Sequence, residues 1–142
     1  MNNLLIYLSR YFDPETAHNI AVQILSKNFF LNYKVPILST KVSNLTFKNP
    51  IGLAAGFDKS GKCFNGLFKL GFSSVEIGTV TPFIQEGNPK PRVFRLYEDN
   101  AVINRYGFNN DGMEIIKNRV NSLKDRKGLL GINIGPNKNS KN

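Results

Sequence analysis

The sequence is poor in the residue types that most often build reactive centres. It has one cysteine, Cys63, and one histidine, His18. A lone cysteine excludes a disulfide framework within the chain and fits a reducing compartment. Cys63 and His18 lie far apart in sequence, so no cysteine–histidine nucleophile pair is evident, and Cys63 reads as a buried structural thiol. His18 lacks partners for a metal, and no metal site is expected. No apolar run approaches the ~18 residues that span a bilayer. The start, MNNLLIYLSRYF, carries no basic leader and no small-residue cleavage site, so no signal peptide is expected. The chain therefore reads as soluble or lying on a membrane surface. Acidic residues are scarce, 10 against 19 basic, for a formal charge of +9. Such a balance attracts polyanions, acidic membranes or anionic small molecules. The basic residues are spread along the chain, which argues for a solvated surface. No basic stripe interleaved with aromatics appears, so a nucleic-acid partner is not expected.

What the sequence does have is material for a core. Its 142 residues suit one domain, 41% are hydrophobic, and 11 are phenylalanine. Two helical patterns come first. Leu4, Leu5, Leu8, Tyr11 and Phe12 share one face at spacings of three and four. Asp13-Pro14-Glu15 then predicts a new helix start, with Asp as N-cap, Pro in the first helical position and Glu in the first turn. The second helix carries an apolar stripe of Ala17, Ile20, Ala21, Ile24 and Leu25, and Phe29, Phe30, Leu31 and Tyr33 prolong its greasy character. Such helices either pack on the domain behind them or lie in a membrane interface.

From Val35 the rhythm changes. Lys41–Phe47 alternates like a strand, and Ile51–Gly56 reads as a short buried strand of small residues. A helix is predicted over 60–70, ended by Gly71. Ser74–Thr79 is a second strand. A long excursion over 81–104 contains a hairpin of Arg92–Leu96 with Ala101–Ile103. A helix over Gly112–Lys124 turns Ile115, Ile116, Val120 and Leu123 inward, and Leu129–Ile134 is a third strand. Strand, helix, strand, helix, strand is the rhythm of a parallel sheet.

Each of these three strands runs into polar and glycine residues: Ala55-Gly56-Phe57-Asp58-Lys59, Gly78-Thr79 and Asn133-Ile134-Gly135. Parallel β/α folds bind ligands at the carboxyl ends of their strands, and glycine lets a flat ligand approach the backbone. Tight turns use the same residues, but three successive strand ends of this kind point to a site. Gly56–Lys62 also has P-loop spacing. The hydroxyl expected after the lysine is replaced by Cys63, a poor magnesium ligand, and Asp58 would repel phosphate, so a nucleoside triphosphatase is not expected.

Five ordered segments, Asn49–Lys59, Glu76–Pro82, Gly87–Leu96, Ile103–Asn110 and Gly131–Gly135, resemble class 2, quinone-dependent dihydroorotate dehydrogenase. Asp13–His18 resembles that class's N-terminal extension. The resemblance implies an α/β fold: the first three parallel strands of a TIM (β/α)8 barrel, incomplete here, preceded by a two-helix extension. The division would be 1–34, a helical membrane- and quinone-associated extension, and 35–142, the first part of an FMN-binding barrel. It implies oxidation of dihydroorotate to orotate in pyrimidine synthesis, with ubiquinone or menaquinone reoxidising the flavin. Ala55, Gly56, Phe57, Asp58, Lys59, Thr79 and Asn133 would contact FMN. Lys59, Asn104, Arg105, Tyr106, Gly107 and Phe108 would contact substrate. His18 and Arg95 would lie near the quinone tunnel.

A barrel needs eight strands and about 250 residues. The serine base and the loops for the FMN phosphate come from later segments of the family, so no catalytic base is expected among these residues. The chain is expected to be inactive alone, either as half of a split enzyme completed by a second chain or as a non-functional remnant. Peripheral attachment to a membrane is expected, on the cytoplasmic face in a bacterium.

Overall fold

The computed structural model describes residues 9–27, 34–36, 38–122 and 127–140. The first predicted helix and the Phe29–Tyr33 segment lie outside them except for Ser9–Phe12, as does Leu123. Helix α1 spans Pro14–Ser26. It starts as its sequence dictates: Asp13 Oδ1 accepts from the Thr16 amide at 2.9 Å, and Pro14 fills the first turn. Its buried side takes in only part of the apolar stripe. Leu25 is buried and Val22 half-buried, whereas Ile20 and Ile24 are 38% and 48% exposed. The helix docks through Leu25 against Gly66, where an added Cβ would strike the Leu25 carbonyl. That close approach rotates Ile20 and Ile24 outward.

Thr40–Val42 (β1) and Leu45–Phe47 (β2) form an antiparallel hairpin. The single strand expected over Lys41–Phe47 is thus two, because Ser43 takes a left-handed conformation (φ +52°) and reverses the chain. Gly52–Leu53 (β3), Ser74–Val80 (β4) and Leu129–Ile134 (β7) build a parallel sheet with β4 in the middle. β3 is shorter and less buried than expected, with Ile51 59% exposed, because among the described residues it lies at the sheet edge, paired with β4 alone. Phe64–Lys69 is helix α2, four residues shorter at its start than predicted. Residues 60–63 are held in a turn by Asp58, with Gly61 at φ +63°. Val93–Leu96 (β5) and Ala101–Asn104 (β6) pair as the predicted hairpin, and Met113–Ser122 is helix α3. Ile115 is 48% exposed rather than inward, while Ile116 and Val120 are buried.

The core lies on one face of β4. Val75 and Ile77 meet Phe64, Leu67 and Phe68 from α2, Ile116 and Val120 from α3, and Leu25 from α1. Phe64 and Phe68 pack edge to face at 6.3 Å. No described helix is long and apolar enough to cross a membrane. Ile77, fully buried at the centre, tests this packing. Ile77→Ala is expected to destabilise the chain by about 2–5 kcal/mol, measured by urea unfolding.

Candidate active site

The three parallel strands deliver their carboxyl ends to one rim. There β4 cannot continue regularly: its register with β7 shifts between Ile77 and Val80. Gly78 (φ +114°) approaches β7 so closely that a Cβ would sit 2.5 Å from the Asn133 carbonyl oxygen. Gly56 (φ +111°) differs, since a Cβ there would meet nothing within 4 Å. One glycine is needed for packing; the other leaves open space over the rim.

That space is a cavity of about 630 Å³. Ala55, Gly56 and Lys59 line it from the β3 end, Gly78 and Thr79 from β4, and Asn133 from β7. Asn104, Arg105, Tyr106, Gly107 and Phe108 close the other side. Most of the residues expected to contact flavin or substrate therefore face one space. Phe57, Asp58 and His18 line an adjoining cavity of about 310 Å³ beneath α1. Lys59, Tyr106 and Asn109 border both. Arg95 lies apart, donating to the carbonyls of Ser9, Arg10 and Phe12.

The polar groups are held by specific bonds. Thr79 Oγ1 donates to Asn133 Oδ1 at 2.6 Å, which leaves the Asn133 amide group as a donor. Lys59 Nζ sits 4.1 Å from the centre of the Tyr106 ring and 3.4 Å from His18 Nε2. Burial lowers the pKa of Lys59, opposed by the charge of Glu15. Burial, then the Lys59 charge, lowers the pKa of His18 from its ordinary 6.5, which favours the neutral imidazole. Asp58, 1% exposed, turns its carboxylate onto the amides of Lys62 and Cys63 at 2.7 and 2.8 Å. Those are amides that a P-loop would offer to phosphate, and Gly61 faces Ile77 in the core, so the turn has no phosphate cradle. Burial and then Asp58 push the Cys63 thiol far up its range, in keeping with a structural thiol.

Several residues here carried no role in the sequence. Asn110, buried between segments, accepts from the Thr81 and Gly112 amides and donates to Thr81 Oγ1 and the Phe108 carbonyl. Asn137 ties the last described residues to Phe83 by two bonds of 2.9 Å. Glu15 and Arg92 form a buried pair. Asn109 Oδ1 is buried without a partner, an acceptor beside the cavity. Asn110 and Arg92 fall within motifs that marked the region, but only spatial neighbours reveal their bonds.

The donor set suits a flavin. A flavin's pyrimidine edge would offer carbonyl oxygens to the Lys59 ammonium and Asn133 amide, and its N–H would satisfy an acceptor such as Asn109 Oδ1. The open face at Gly56 leaves room for a flat ring.

A parallel β/α layer with polar loops gathered at its carboxyl rim defines a segment of a ligand-binding β/α fold. The sequence profile of the dihydroorotate dehydrogenase family matches residues 37–142. The mouse mitochondrial dihydroorotate dehydrogenase (quinone) is 48% identical over 147 residues, covering 96% of this chain and 37% of its own length. The dihydroorotate dehydrogenase (quinone) of Rhizobium leguminosarum bv. trifolii is 51% identical over 132 residues, covering 91% of this chain and 36% of its own. The ligand-free DHODH of Eimeria tenella superposes with a TM-score of 0.84 at 42% identity, over 92% of this chain and 39% of that one. The same enzyme in complex with ferulenol gives 0.81. The chain belongs to the dihydroorotate dehydrogenase family, in its quinone-dependent class 2 branch. It spans a little over a third of the length of these curated relatives. The family has a β/α-barrel fold, and the three-stranded parallel sheet is consistent with an incomplete barrel.

Two measurements check the electrostatics. Cys63 should resist a thiol reagent in the folded chain and react on denaturation. The imidazole of His18 should titrate below 6.5 by NMR. A depressed folded pKa makes the unfolded chain the better proton binder, so this group's stability contribution is complete above 6.5 and declines as pH falls through the folded value. His18→Gln should remove that part of the decline in urea midpoint.

Proposed function

We propose that these residues form the flavin- and substrate-facing first part of an enzyme that oxidises dihydroorotate to orotate and passes the electrons to a quinone. The observation that carries this reading is the convergence of three strand ends and the 104–108 segment on one cavity bordered by a half-buried lysine. A bound FMN would supply the hydride acceptor for dihydroorotate and the electron donor for the quinone. Ala55 and Gly56 leave its ring a flat backbone bed, and Thr79 orients Asn133 to donate to it. The Lys59 ammonium offsets negative charge where ring and substrate meet. Asn104 offers the pyrimidine substrate both a donor and an acceptor, and Phe108, 65% exposed, can cover it against water. Arg105, Tyr106 and Gly107 carry these two residues across the cavity. Phe57 and Asp58 support this bed from the adjoining side, with Asp58 locking the turn that presents Lys59.

In this reading residues 1–34 form a unit that meets the membrane and the quinone, and 35–142 belong to the barrel. Tyr11, Phe12, Ile20 and Ile24 are exposed apolar groups that suit a membrane interface; His18 and Arg95 flank the quinone route. In a bacterium this would be the cytoplasmic face of the cell membrane, with ubiquinone or menaquinone as acceptor. Among the described residues, no group lining the cavity is an evident base for the C5 proton. The base and the phosphate loops belong to the part of the enzyme these 142 residues do not contain, on the same polypeptide or on a second chain.

The chain should be purified alone and also mixed with a polypeptide carrying the rest of the Rhizobium relative. Alone it should retain little FMN and turn over no dihydroorotate. The mixture should bind FMN and reduce a quinone analogue with dihydroorotate, and Lys59→Ala should slow it roughly 100-fold. Robust turnover by the chain alone, or a mixture that binds neither FMN nor orotate, would overturn the proposal.

A further inference from the structure

Tyr106 is held from inside the strand-end cavity by Lys59 and Asn88, and from outside it by Arg92. Arg92, 7% exposed, engages Glu15 of α1 through two bonds: Nη2 to Oε1 at 2.8 Å and Nε to Oε2 at 3.1 Å. Its Nη1 donates to the Glu86 and Asn88 carbonyls at 2.7 and 3.0 Å. Every nitrogen of the guanidinium is therefore committed, one edge to a helix and the other to a loop. The Arg92 carbonyl accepts from the Arg105 amide at 2.8 Å, and the Asn88 amide donates to the Tyr106 carbonyl at 2.9 Å. Asn88 Nδ2 adds a bond to the Arg105 carbonyl at 2.8 Å. The guanidinium lies 5.3 Å from the centre of the Tyr106 ring, the ring that also holds Lys59.

The arrangement joins pieces of chain distant in sequence. Glu15 is in the first turn of α1, Arg92 directly precedes the excursion hairpin, Tyr106 follows that hairpin, and Lys59 follows β3. α1 also reaches Lys59 directly through His18. Without Glu15, Arg92 would be a buried cation facing two carbonyls and a ring, close to a second cation on that ring. Lys90, at 3.4 Å from Glu15, is 64% exposed and cannot replace the bidentate fork.

We propose that the Glu15–Arg92 pair is a positioning device: it clamps the first turn of α1 to the 86–92 segment, holds the Tyr106 ring against Lys59, and so couples docking of α1 to the geometry of the strand-end cavity. Both residues are positioning residues, since neither lines that cavity. The link from the clamp to dihydroorotate chemistry rests on the function proposed above; the clamp itself does not.

The test needs no flavin or substrate, so its failure is distinguishable from failure of that function. Lysine is labelled with carbon-13, the Lys59 ε-methylene signal is assigned with Lys59→Arg, and its upfield displacement by the Tyr106 ring is read. Methyl signals of Val75 and Ile77 report on the core. In the unmutated chain the displacement is present. In Glu15→Gln and in Arg92→Lys it is lost while the core methyls stay put, and the His18 ring signals move with it. A displacement missing from the unmutated chain, or retained in either variant with an intact core, overturns the proposal. Should both variants lose the core, the unmutated chain is titrated into the acid range. Loss of displacement in step with protonation of Glu15 supports the clamp, and displacement that outlasts it overturns it.

Discussion

The parallel pairing of β4 with both β3 and β7 is the constraint on which the rest depends. Because all three strands run the same way, their carboxyl ends and the loops that follow lie along one rim. Burial supplies the anchorage: alternate residues Val75 and Ile77 are enclosed by α2, α3 and α1. At Gly78 the ladder shifts register, and Thr79 turns toward Asn133 on the neighbouring strand. A regular continuation would point the Thr79 side chain elsewhere, because a shift of one residue changes the face on which a side chain stands.

Around that rim, side chains do the work that secondary structure does elsewhere. The loops between strands bury backbone amides and carbonyls that have no ladder to join. Asp58 satisfies two such amides, Asn110 satisfies two amides and one carbonyl, and Arg92 satisfies two carbonyls. Each is a polar group taken out of water, so each bond made also removes a desolvation penalty. The result is a rim set before any ligand arrives, with Lys59 placed by its ring and imidazole neighbours. Preorganisation of this kind would serve the proposed function, in which the site holds two flat molecules against each other.

Much of this was legible in the residues. The N-cap of α1, the strands at 74–80 and 129–134, the excursion hairpin and the inward Ile116 and Val120 follow from local spacing and turn chemistry. So does the gathering of Gly56, Lys59, Thr79 and Asn133 at the strand ends, where they line one cavity. Two of the differences share one cause. The burial of β3 and the inward Ile115 rest on apolar character alone, which does not say which neighbour is present; the stripe on α1 likewise left open whether it meets the domain or a membrane. Ile20 and Ile24 stand outward because α1 docks through Leu25 onto Gly66. Likewise the alternation over 41–47 fits one strand or two, and the left-handed Ser43 made it two.

Local sequence by itself determined which segments are helix or strand, and it placed polar and glycine residues at the strand ends, because periodicity, caps and turns act over a few residues. Only the tertiary structure decided the partners of the buried polar groups. Asp58, expected by resemblance to line a flavin, clasps the amides of its own loop, and Arg92, one of many scattered basic residues, holds Glu15 across 77 residues of chain. Hydrogen bonds and ion pairs act over about 3 Å, and that proximity exists only once distant parts of the chain have packed.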